Sequence, residues 1–149
     1  MAKVKMPSVK TFIKSFERDL KQNIARADKS EIEAEIIETI LRGKSPVEGK
    51  KFEQYSEKYA DRFKGGDRKP VTMNQIGKML DSLKISQLRG KVGISIEFLS
   101  KIAAFHDILG AGKSKVIRRL LPRSNERFKS NIRKVIEKFF KRNIRKTTR

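Results

Sequence analysis

Cysteine and tryptophan are absent from this chain, and histidine occurs once. Without thiols there can be no disulfides and no thiolate chemistry, and the fold is indifferent to redox compartment. The lone imidazole, His106, has no second histidine to complete a metal site, and the remaining ligand types are carboxylates scattered along predicted helices. Long apolar runs are also missing. Nowhere do about 18 apolar residues stand together, and the opening MAKVKMPSVK leads into an amphipathic pattern rather than the apolar stretch of a secretory signal. The expectation is a chain that neither follows that export route nor engages a membrane, and that carries no cofactor, metal or catalytic group. Acidic residues are scarce: 17 Asp and Glu against 37 Lys and Arg, a net charge of +20.

The excess charge is unevenly placed. From Lys113 to Arg149 there are 15 basic and two acidic residues, so this last quarter of the chain carries +13. Within it Phe128, Ile132, Val135, Ile136, Phe139 and Phe140 recur at spacings of three and four, one apolar stripe of a helix. Arg127, Lys134, Lys138, Lys141 and Arg145 follow the same period on the other side. One face can dock on a core while the other meets phosphates or an acidic protein surface. The plainer reading is a solvated face that keeps the protein soluble.

A length of 149 residues predicts one domain, 1–149, and periodic Phe, Ile, Leu and Val argue against disorder. Phe12, Phe16, Leu20 and Ile24 predict a first helix from Ser8. A second helix, capped by Asp28 or by Ser30 with Glu33, runs through Ile32, Ile36, Ile37, Ile40 and Leu41 to Gly43, with Glu31, Glu33, Glu35 and Glu38 as its solvated face. After the GKSPVEG loop, Phe52, Tyr55, Tyr59 and Phe63 form the stripe of a third helical segment, read as core rather than as a base-stacking platform. A basic loop from Lys64 to Pro70 precedes a short fourth helix marked by the capping spacing of Thr72 and Gln75 and by Ile76, Met79, Leu80 and Leu83. Val92, Ile94, Ile96 and Phe98 then alternate as a strand, with Leu83 and Ile85 as antiparallel partner and a turn at Arg89 and Gly90. A fifth helix spans Leu99 to Leu109, and Val116 to Leu121 reads as a third strand stopped by Pro122. The whole predicts an α+β fold: N-terminal helices, a small antiparallel sheet of a hairpin and a third strand, and a long basic C-terminal helix and tail at about 124–149.

The motif that invites a nucleotide is Gly110–Ser114, GAGKS. A phosphate-binding loop needs a further glycine five positions before its GK pair, and here that position is Asp107; the GKS at Gly43 has Glu38 in that slot. Neither follows a predicted strand. His106, between Phe105 and Asp107 on the fifth helix, is expected to be capped or hydrogen-bonded as a structural side chain.

The order of the pieces resembles the phage virion-morphogenesis or tail-completion proteins over residues 8–140. It is carried by Ser45-Pro46-Val47, by Lys51-Phe52-x-x-Tyr55-Ser56, by Gly77-x-Met79-Leu80-x-Ser82-Leu83, and by Ala103, His106, Gly110, Arg119, Leu121 and Pro122 after the strand. The Arg-Arg-Leu-Leu-Pro segment differs from the commoner Arg-Pro-Phe-Leu form, and the basic C-terminal end is longer than the resemblance requires. The resemblance implies a non-enzymatic virion protein at the neck, a head-tail connector or tail terminator built as a six- or twelve-fold homo-oligomeric ring around the DNA channel. Its partners would be its own copies, neighbouring portal, adaptor or tail-tube proteins, and genomic DNA touched without sequence preference; its place would be the virion, and the host cytoplasm during assembly. The competing expectation is a stand-alone small basic nucleic-acid-binding protein. For either, the candidate contacts are Arg127, Lys134, Lys138, Lys141 and Arg145.

Overall fold

A computed structural model describes residues 8–68 and 78–149. Among these, six helices and a two-stranded antiparallel sheet make a mixed α+β arrangement. The capping pair Thr72 and Gln75, Ile76, and the end of the Lys64–Pro70 loop lie outside the described residues.

The first helix, α1 (Val9–Arg26), is capped by Ser8, whose hydroxyl accepts from the Thr11 amide. Only its second half is buried, through Leu20 and Ile24. At α2 (Ser30–Leu41) the Asp28 carboxylate accepts from the Ser30 amide and hydroxyl, at 2.9 and 2.8 Å. Those bonds hold its carboxyl below the usual range. Gly43, at φ 74°, ends α2 in the left-handed conformation that glycine tolerates best.

The next loop is not the solvated connection its Pro and Gly content suggests: Ser45, Pro46 and Val47 are buried. The Ser45 hydroxyl donates to the Arg119 carbonyl at 2.7 Å and accepts from the amides of Val47 and Glu48. The third helix, α3 (Glu57–Phe63), is shorter than the aromatic stripe, so Phe52 and Tyr55 precede it. Both are buried, and Tyr55, Tyr59 and Phe63 form a ladder with ring centroids 4.8 and 5.1 Å apart. After α4 (Lys78–Asp81), β1 (Leu83–Gln87) pairs with β2 (Ile94–Phe98). The register sets Leu83 against Phe98 and Ile85 against Ile96, so the alternating apolar residues share the face toward the core. Val92 sits in the turn, not the strand.

The fifth helix is α5 (Lys101–Ala104), continuing as one wider π turn over Phe105–Leu109. Gly110 ends it at φ 82°, where an added Cβ would lie 2.3 Å from the Lys115 carbonyl oxygen. Val116 to Leu121 is not a third strand: one isolated bridge joins Ala111 to Val116, and residues 117–120 have no ladder partner. Nor does the last helix begin near 124. It is α6 (Ser130–Thr147), entered through a connection whose last amide, Lys129, donates to the Pro46 carbonyl at 2.8 Å. Ile132 and Phe139 are buried on α1 and α2, with Val135, Ile136 and Phe140 packed beside them. Polar bonds fix the same contacts: Asn23 donates to the Thr147 hydroxyl at 2.8 Å, and Asn131 to Glu35 and Thr39 at 2.7 and 3.1 Å.

Candidate functional site

With Ile132 and Phe139 turned inward, the 3.6-residue period leaves Lys134, Lys141 and Arg145 on the opposite, exposed side of α6. They line a shallow open cleft together with Glu137, Lys138 and Arg142. The five sequence candidates are not equivalent there. Arg127 is exposed but lies in the connection before the helix, so it does not continue the row. Lys138 is already engaged: its ammonium is 3.1 Å from one oxygen of Glu31 on α2, whose other oxygen takes Arg142 at 2.8 Å. These two bonds lower the Glu31 carboxyl below its ordinary value. Lys134, Lys141 and Arg145 make no ion pair among the described residues. The acidic side of α2 is thus only partly a solvated face, since Glu31 and Glu35 reach α6 and Glu38 pairs with Arg42 at 3.1 Å.

A second cluster, which the sequence reading passed over, is buried and polar. Asp107 accepts from the amides of Leu120 and Leu121 at 2.6 and 3.3 Å and from the Arg119 guanidinium at 3.3 Å. Arg119 continues to both oxygens of Glu126 and to the Leu121 carbonyl. Burial opposes the charge on Arg119, but Glu126 and Asp107 outweigh it and push its value up. The Arg123 amide and then Arg119 hold Glu126 down. Arg118 turns the other way, donates to the carbonyls of Glu53 and Gln54, and lies over the Tyr55 ring at 5.6 Å. Asp107, which spoils the phosphate-loop spacing, is therefore the acceptor that organises this segment. Two arginines enclosed by apolar pairs, Val116-Ile117 and Leu120-Leu121, are the signal for burial, and the same run reads equally as a broken strand.

The ring of His106 is not hydrogen-bonded as expected. Its backbone carbonyl accepts from the Arg118 amide at 2.7 Å, while Nδ1 is buried without a partner among the described residues. Burial, and then the Arg118 charge, lower its value to about 4.

The helix that carries it also exposes apolar side chains. Ala103 and Asp107 face inward, while Leu99, Ile102, Phe105, Ile108 and Leu109 are exposed. The first turns of α1 show Val9, Phe12 and Ile13 in the same way. Exposed large apolar side chains grouped on one element mark a face awaiting cover. Among the described residues no group of three or more His, Asp or Glu could hold a metal ion, and no helix is long and apolar enough to cross a membrane.

No family model matches the chain, and neither a curated protein nor a solved structure matches it.

Proposed function

We propose that this protein is a structural component of a phage virion, standing at the neck where head meets tail and joining other macromolecules rather than transforming a substrate. The reading combines the order of sequence segments with a surface suited to several neighbours at once. The observation that carries it is the pairing of an exposed cationic row, Lys134, Lys141 and Arg145, with two separate exposed apolar faces on α1 and α5. A monomer gains nothing from exposing Phe12, Phe105 and Leu109 together, whereas a subunit in a homo-oligomeric ring, set against portal, adaptor or tail-tube proteins, has copies and neighbours to cover them. The cationic rod α6 gives such a ring an electrostatic docking surface whose weak contacts multiply with copy number.

The test is solution mass over a concentration series, followed by imaging of the assembled particle with this chain located. Concentration-dependent oligomers, and density at the head-tail junction, are expected. A strict monomer that binds duplex DNA tightly at moderate salt, with no place in the particle, would establish the stand-alone nucleic-acid binder instead.

A further inference from the structure

The α6 surface contains its own example of what it binds. Lys138 and Arg142, four residues apart, hold the Glu31 carboxylate as a fork, one cation to each oxygen. Three residues later Lys141 and Arg145 repeat the same Lys-x-x-x-Arg spacing on the exposed side, without an acidic partner among the described residues. We propose that the Lys141–Arg145 pair is a receptor for a carboxylate of a partner protein, so that α6 docks an acidic polypeptide rather than nucleic acid. This rests on the structural-protein reading and names the chemistry of one of its partners.

Glu137 decides between the two polyanions. It shares the exposed cleft with Lys134 and Lys141, lying three residues after the first and four before the second. Lys134 and Lys141 are seven residues apart, about 10 Å along the axis. A flexible acidic polypeptide can seat one carboxylate at Lys134 and another on the Lys141–Arg145 fork and turn those between away from Glu137. The phosphates of duplex DNA, one per about 3.4 Å of axis on each strand, are fixed on a stiff backbone and cannot be turned aside, so a strand laid along this row brings phosphate against Glu137.

The experiment titrates the full chain with poly-L-glutamate and, separately, with duplex DNA of matched total charge, at low salt and then across a salt series. Two variants change the net charge equally: Lys141→Glu with Arg145→Glu on the fork, and Lys10→Glu with Lys14→Glu on α1. Poly-L-glutamate is expected to bind more tightly than DNA, to lose about tenfold in the fork variant and to change by less than about twofold in the α1 variant. The neutral pair Lys141→Gln with Arg145→Gln gives an intermediate loss and replaces the reversals should they disturb folding. Equal losses in both variants would reduce the effect to bulk charge and overturn the proposal, as would absence of poly-L-glutamate binding at low salt. DNA binding the fork more tightly than poly-L-glutamate would overturn it in favour of phosphate. The neck assignment stands or falls on oligomer mass and imaging, which these titrations leave untouched.

Discussion

His106 shows how one side chain sets a pH limit. Its folded value, about 4, lies below the ordinary 6.5 because burial and Arg118 disfavour the cation. Above about pH 6.5 both folded and unfolded chains hold it neutral, and it contributes no pH dependence. As pH falls from there toward 4, the unfolded chain takes up a proton that the folded one resists, so stability declines in that window. Glu31 and Glu126, both held below the ordinary 4.5, add their own loss only as pH falls below that value, where the unfolded chain takes up protons before the fold does. Urea midpoints measured at steps between pH 7 and 4 should therefore fall for the natural protein from about pH 6.5 downward. His106→Phe should stay flat until the carboxylates titrate; the same slope in both proteins would assign the decline elsewhere.

At the scale of elements, side chains rather than a ladder order residues 118–121. Their backbone donors end on the Asp107 carboxylate and the His106 carbonyl, and the Arg119 carbonyl ends on Ser45. Asp107→Ala strips acceptors from two backbone amides and leaves Arg119 half-paired in a buried site. A loss of about 3–5 kcal/mol is expected in urea unfolding, against about 1–3 for Asp107→Asn, which keeps one acceptor. A loss under about 1 kcal/mol for the alanine variant would show that water replaces the carboxylate. The same segment marks where the sequence stops being legible. The first two helices and the hairpin follow from local periodicity, which acts within a few residues. Val116–Leu121, a short apolar run broken by two arginines, reads as a strand, yet its partners are a carboxylate and a hydroxyl brought from 13 and 74 residues away. The split between Lys138 and Lys141 is of the same kind. Their chemistry and phase are alike, and only the arrival of Glu31 from 107 residues away neutralises one and leaves the other open.

For the whole molecule, a charge of +20 on 149 residues means that folding gathers like charges which the extended chain keeps apart. Six surface and buried ion pairs among the described residues compensate part of it, and the exposed ones contribute little each. Raising sodium chloride from about 20 mM to about 0.5 M should therefore raise the melting temperature by a few degrees, since screening relieves repulsion more than it weakens scattered pairs. A fall over that range, followed by light scattering to exclude aggregation, would show that net attraction between paired charges dominates.

The aromatic ladder running from Tyr55 into α3 gives this chain an internal spectroscopic reporter. With no tryptophan, and with both tyrosines of the sequence in that one stack, tyrosine emission and near-ultraviolet dichroism arise from a single neighbourhood. Because Arg118 lies over Tyr55, any loosening of the Asp107-anchored segment alters that signal directly. Unlabelled protein can thus disclose whether that segment and the ladder come apart together or in sequence.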